Sequence, residues 1–244
     1  MRVTTLNVHG CVGIDFRQTE SRVAGCLASL KPDIVALQEL DMGRTRSGGS
    51  DQAGIIASHL NFESHFHPSM TWREEMYGNA ILSRWPFTVR KAASLPSEHS
   101  FLFCEQRAAM WLEIHTPLGS LNIINTHFGV GRRERQEQAN ALMGNEWLRA
   151  MEPTKPLLLV GDFNSLPGSS PYKIIAAHLD DLVRKARGRN LKTFPTPFPL
   201  FSIDHIFGNH AIQVSGAYSP SSWRAAITSD HLPLVLDFNL PTRR

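Results

Sequence analysis

Cysteine is scarce in this chain of 244 residues: Cys11, Cys26 and Cys104 make an odd set with no CxxC pair. Neither a disulfide framework nor a thiolate metal site is therefore expected, and the three read as small, reduced apolar fillers. Long apolar runs are missing too. No stretch approaches the roughly 18 residues of a membrane span, and Met1 leads straight into a strand-like segment rather than a charged and apolar leader. The expectation is an unprocessed cytoplasmic protein with no transmembrane segment and no evident protein partner. An excess of one charge is also lacking, since 25 basic against 22 acidic residues leave a net charge of +3, too little by itself to name nucleic acid as a partner. Basic residues do crowd two stretches, Arg132, Arg133 and Arg135, and Arg184, Lys185, Arg187 and Arg189. Such runs meet phosphates or are simply solvated surface. Finally, neither GxSxG nor GxxxxGK[ST] occurs, so acyl transfer through serine and phosphate cradling by a P-loop are not indicated.

What is present is strand. Apolar or alternating segments recur at Arg2 to Val8, Asp33 to Gln38, Gly78 to Ser83, Ala108 to His115, Leu121 to Thr126, Pro156 to Val160, Ile203 to Gly208 and Leu232 to Phe238. Helical patterns lie between them: Glu20 to Leu30, Gln52 to Leu60, a stretch after Gly131 with Ala139, Leu142, Met143 and Trp147 on one face, and another opened by Pro171. Turn residues at Ser83 to Phe87 and at Thr116 to Ser120 predict two hairpins and hence antiparallel pairing. The proline-rich stretch Arg187 to Leu200 reads as a surface loop. Hydrophobic content of 42% with no low-complexity spacer predicts one domain over 1–244. Hairpins mixed with helical crossovers predict an α/β fold of two mixed β-sheets packed face to face with helices outside.

Polar residues appear where the apolar strands stop. LLLVGDFN, Leu157 to Asn164, is a buried-strand run ending in Asp162 and Asn164, and in α/β proteins ligands gather at the carboxyl ends of strands. Taken alone, this segment fits an Asx turn equally well. The pattern repeats, however: DIVALQ delivers Gln38 and Glu39, LNIIN delivers Thr126 and His127, and the first strand delivers Asn7 and His9. SIDHIF and SDHLP each place an Asp before a His, and Asp204 lies inside an apolar run where an unpaired carboxylate is costly. Carboxylates and carboxamides are hard oxygen ligands suited to Mg²⁺ or Mn²⁺. A hard cation at such a set points to phosphoester hydrolysis.

With its motifs TLNVHG, LQE, GNAILSR, NTH, GDFN, IDHIF and SDHLP in this order from Thr5 to Pro233, the chain resembles the endonuclease/exonuclease/phosphatase superfamily of DNase I-like metal-dependent phosphoesterases. The resemblance implies a four-layer α/β sandwich and assigns roles by position. Glu39 is the main metal-binding carboxylate, with Asn7 and Asp230 in or near the metal and phosphate shell. Asp162 orients and deprotonates the attacking water, Asn164 steadies nucleophile and phosphate, His231 binds a phosphate oxygen and is oriented by Asp204, and His127 contacts phosphate. Asn79 and Arg107 resemble supporting positions, and Arg135 and Gln138, in the first turns after His127, are candidates to reach the cleft. His9 stands where related nucleases carry an Asp, as metal ligand or as a contact to phosphate or water. Thr193, Phe194 and Pro195 form either a substrate-facing wall or an ordinary loop. The implied reaction is divalent-metal-dependent hydrolysis of a phosphate-containing substrate by a phosphodiesterase or nuclease, nucleic acid being one candidate. The alternative is a phosphatase or phospholipase C-type enzyme on an inositol phosphate, a phospholipid or another small phosphoester.

Overall fold

Successive side chains of a buried strand face opposite ways, and this alternation builds the layers. The computed structural model describes residues 1–97, 105–220 and 222–241. Its strands are β1 (Arg2–Asn7), β2 (Ile34–Met42), β3 (Glu63–Trp72), β4 (Glu75–Ser83), β5 (Phe87–Ser94), β6 (Ala108–Thr116), β7 (Gly119–His127), β8 (Leu157–Asp162), β9 (Asp180–Asp181), β10 (Asp204–Gly208), β11 (Gln213–Tyr218) and β12 (Leu234–Asn239). The helices are α1 (Glu20–Leu30), α2 (Gln52–Leu60), α3 (Arg132–Leu142), α4 (Ser170–Ala176), α5 (Leu182–Arg187) and α6 (Trp223–Ala226). Two six-stranded sheets result, ordered β11-β12-β1-β2-β4-β3 and β5-β6-β7-β8-β10-β9.

Ile34 and Ala36 of β2 and Leu158 and Val160 of β8 meet in the core between the sheets. Their neighbours Val35 and Leu37 face α1 and α2 through Val23, Leu27 and Ile56. Leu157 and Leu159 face α3 and α4 through Leu142, Tyr172 and Ile175. Three apolar interfaces thus separate four layers, as expected. Within the central one, Gln38 Nε2 donates to Asn125 Oδ1 at 2.7 Å, and Asn125 Nδ2 donates to Leu37 O and Ala80 O at 2.9 Å each. Gln38 is therefore a bridge between the sheets. Such a fully paired polar contact fixes their relative position.

The turn from Thr116 to Gly119 is the expected hairpin, joining β6 to β7. The segment Ser83 to Phe87 is not a hairpin: β4 and β5 lie in different sheets, so these residues carry the chain across the sandwich. Proline marks a break in a ladder but does not tell which sheet the next strand joins. Trp147, expected on the face of α3, is buried in that layer but lies beyond the helix end at Leu142. Cys11 and Cys26 are free and buried; Cys104 lies outside the described residues. Among those residues, no helix is long and apolar enough to cross a membrane.

Candidate active site

β1 and β2 run parallel, as do β7 and β8, and the two pairs end together. Asn7 Nδ2 spans the gap between the sheets, donating to Glu39 Oε1 at 2.7 Å and to Asp162 Oδ2 at 3.0 Å. Glu39 reaches this point from a left-handed backbone position, φ 61°, where the register of β2 on β4 slips between Leu37 and Leu40. A bulge of this kind turns a side chain out of the regular alternation, and a non-glycine residue held there is a strained conformation typical of functional sites. His9 (φ 48°) and Asn164 (φ 46°) share that conformation. On the other side Gly161 is indispensable: at φ 142°, a Cβ would stand 1.9 Å from Thr126 O. Only glycine lets β8 press against β7 and bring Asp162 level with His127.

The two imidazoles differ in charge. Arg107 Nη1 lies 3.0 Å from His127 Nδ1, and a guanidinium can only donate. The ring nitrogen therefore accepts, and the neutral ring carries its hydrogen on Nε2, which faces Asp162 Oδ2 at 3.5 Å and Glu39 Oε1 at 3.8 Å. Burial, reinforced by Arg107 and His231, holds the His127 pKa well below the ordinary value. Asn164 Nδ2, also near this nitrogen, donates instead to Phe128 O at 2.9 Å. His231 is the opposite case. Burial opposes its charge, but Asp204, Asp162, the 2.9 Å hydrogen bond from Nδ1 to Asp204 Oδ2, and Asp230 outweigh it and push the pKa up to about 10. Its Nε2 lies 3.7 Å from Asp162 Oδ2. Asp162, 1% exposed, is raised to about 6 by burial and by Asp204, against the lowering effects of His231, the Asn164 N–H and Asn7.

The remaining expected residues fall into two groups. Asp230 is tied to the site through Ser229, whose Oγ donates to Asn7 O at 2.7 Å and lies 3.2 Å from Asp230 Oδ1. His9 Nδ1 stands 3.7 Å from Asp230 Oδ1. Arg135 bonds Val130 O and lies within the field of Asp162. Asn79 and Gln138 act from beneath: Asn79, opposite the bulge of Glu39, donates Nδ2 to Ala108 O across the sheets, and Gln138, fully buried, links Gly129 N to Pro96 O. Thr193 is not a substrate wall. Its hydroxyl donates to Asp204 Oδ2 at 2.5 Å, and the Phe194 ring packs 4.8 Å from that of His231. The basic cluster at Arg184 follows β9, which pairs with the end of β10 remote from Asp204, so of the two clusters only Arg132 to Arg135 flanks the site. Sequence reasoning missed the Ser229 clamp, the Thr193 bond and a cavity of about 320 Å³ beside Glu39 whose walls include His9, Gln18, Asp41, Arg46 and Tyr77. Ser229, directly before Asp230 in its motif, was the available signal for the first; Thr193, eleven residues before Asp204, left none.

Asp162, Asp204 and His231 offer ligand atoms within 4.8 Å of one another and could hold an ion. The short Asp204–His231 bond already engages two of them, however. The free hard oxygens lie on the Glu39 side, where one amide nitrogen touches two carboxylates, a crowding of negative charge that suits a divalent cation. The ensemble offers a base, a cationic donor and a neutral donor around one point, which is what hydrolysis at phosphorus requires.

The comparisons agree in fold. Uncharacterized protein YbhP of Escherichia coli K12 is 26% identical, covering 98% of this chain and 96% of its own. The mannosyl-6-phosphatase Bt3783 of Bacteroides thetaiotaomicron superposes with a TM-score of 0.78 at 19% identity, over 98% of this chain and all of its own. The human Nocturnin catalytic domain gives 0.71 at 22% identity, over 99% and 94%. The profile described as Endonuclease/Exonuclease/phosphatase family matches residues 4–231, and the chain belongs to that family of phosphoester hydrolases.

Proposed function

We propose that the chain hydrolyses a phosphodiester with a divalent cation, Mg²⁺ or Mn²⁺, held by Glu39, Asn7 and Asp230. The observation that carries this reading is the convergence of Asn7, Glu39, His127, Asp162 and His231 at the ends of the two parallel strand pairs. Bound there, the cation would supply Lewis acidity and neutralise phosphate charge. Asp162, its basicity raised by burial, accepts the proton of the attacking water as the new P–O bond forms and the leaving ester P–O bond breaks. His231, cationic through Asp204, donates to a non-bridging oxygen as charge builds there, and neutral His127 and Asn164 add uncharged donors. The leaving alkoxide takes its proton from solvent.

Arg132 and Arg135 beside the opening support a diester that extends past the reacting phosphate. The test is turnover of bis-p-nitrophenyl phosphate, of p-nitrophenyl phosphate, and of plasmid DNA after removal of metal with EDTA and add-back of Mg²⁺ or Mn²⁺. Restoration of diester cleavage by either ion supports the reading. Turnover that persists in EDTA, or cleavage of the monoester alone, overturns it.

A further inference from the structure

The strand directions put the loops around the site at one end of the molecule. Residues 8–19 follow β1, 128–131 follow β7 and 163–169 follow β8; the loop over 188–203 enters β10 opposite Asp162; the β3–β4 turn lies past the end of β2. These loops carry large apolar side chains into solvent: Phe16 is 91% exposed, Phe198 80%, Trp72 76%, Val130 75%, Leu200 60% and Leu166 47%. Elsewhere among the described residues the exposed large apolar side chains are scattered: Ile55 on α2, Val89 on β5 and Leu118 on the β6–β7 turn, at 36%, 41% and 49%. Single exposed apolar residues are ordinary on a surface, but a ring of them around one opening is not.

Cations accompany them. Arg17 adjoins Phe16, Arg73 adjoins Trp72, Arg132 follows Val130, and Lys192 stands in the loop of Phe198. All four are exposed, and none makes a salt bridge among the described residues. Glu74 beside Arg73 is an acidic neighbour. Apolar loop tips next to unpaired cations are the pattern that partitions into an anionic lipid surface, where rings and aliphatic chains enter the headgroup layer and the cations meet phosphates.

We infer that the catalytic end is an interfacial face that docks on an anionic lipid bilayer and draws its phosphodiester from lipid headgroups. This deepens the hydrolase reading above and rests on it. A lipid surface fits the geometry where the other occupants fit less well. Phe16, Trp72 and Phe198 could stack on bases, but Val130, Leu166 and Leu200, the other half of the ring, are aliphatic and offer nothing to a nucleobase, whereas all six enter a headgroup layer. A second copy seated on isolated loop tips around the opening would close the path by which substrate enters.

The test compares the wild-type chain with Phe16→Ser/Phe198→Ser/Leu200→Ser and with the control Leu118→Ser on the β6–β7 turn at the opposite end. All four positions are exposed, and thermal unfolding verifies that each variant folds. Flotation uses vesicles of phosphatidylcholine alone and of equal parts phosphatidylcholine and phosphatidylglycerol. Binding of wild type and Leu118→Ser to the anionic vesicles, a loss of at least about tenfold in the triple variant, and unchanged turnover of soluble bis-p-nitrophenyl phosphate by that variant are expected. Phosphate-ester release from the phosphatidylglycerol vesicles should fall in parallel with binding. Absence of vesicle binding, binding indifferent to the triple substitution, or loop-dependent binding of a single-stranded oligonucleotide or of a second copy instead would overturn the inference. Failure of the soluble diester assay in wild type would overturn the hydrolase reading separately, because vesicle flotation does not depend on turnover.

Discussion

The two sheets repeat one arrangement and use it differently. In each, an antiparallel strand flanks a parallel pair on either side: β12-β1-β2-β4 in the first, β6-β7-β8-β10 in the second. Each parallel pair delivers polar side chains at its end, Asn7 and Glu39 from one, His127 and Asp162 from the other. Each sheet adds an aspartate at the start of an antiparallel neighbour, Asp230 before β12 and Asp204 on β10. The first set is open to solvent: the Glu39 side chain is 21% exposed and that of Asp230 36%. The second is dry, with Asp162 and Asp204 side chains at 2%. Hydration decides the chemistry each can do. A wet pair of hard oxygens can exchange a hydrated cation, whereas a dry one shifts proton affinities and so handles protons.

The comparison is most severely tested on the dry side. His231→Asn should lower kcat at least about 100-fold, the order for losing one charged transition-state donor, while Mn²⁺ affinity by calorimetry stays as in wild type; loss of both would merge the two halves. Gly161→Ala should cost about 2 kcal/mol or more of stability in a denaturant titration, because the added methyl meets Thr126 O; there is no glycine at the corresponding point of the open pair. Glu39→Gln should weaken Mg²⁺ and Mn²⁺ binding at least about tenfold without moving the titration of His231.

Asp204→Asn acts more subtly. The folded pKa of His231, about 10, exceeds its ordinary 6.5. Its contribution to stability is complete below 6.5 and is lost as pH rises through about 10. Removing Asp204 lowers that upper limit, so the alkaline limbs of both the rate profile and the melting temperature should move toward neutral pH. His9→Ala should have the smallest effect, less than about tenfold on turnover with either metal, since its half-exposed ring approaches Asp230 no closer than 3.7 Å.

Much of this could be read from the chain, for identifiable reasons. Helices α1 and α2 match the expected limits because Pro32 and Asn61 stop them, Asn61 in the left-handed cap. The buried strands were legible as apolar runs. β3 was not: ESHFHPSMTW lies at a sheet edge, half in solvent, and Pro68 sits at its bulge, where an edge tolerates a residue without an N–H. α5 was hidden in a charge run, although Asp181 caps it and Gly188 ends it. At the site the motif residues converge, but adjacency at a strand end does not distinguish Gln38 from Glu39, which the bulge sends in different directions. Nor does the sequence show that Gln138, a turn from the Arg135 that flanks the opening, turns inward to hold Gly129 N.

The central claim is that Asp162 is the base of a metal-dependent hydrolysis. Its most direct test is the pH–rate profile of bis-p-nitrophenyl phosphate turnover with saturating Mg²⁺ or Mn²⁺, in wild type and in Asp162→Asn. A raised carboxylate must lose its proton before it can accept one, so wild-type turnover should rise through a limb at or below about pH 6, the cation shifting it downward. Asp162→Asn should lose that limb and at least about 100-fold in rate while still binding metal. Wild-type rate and limb retained in Asp162→Asn would contradict the account.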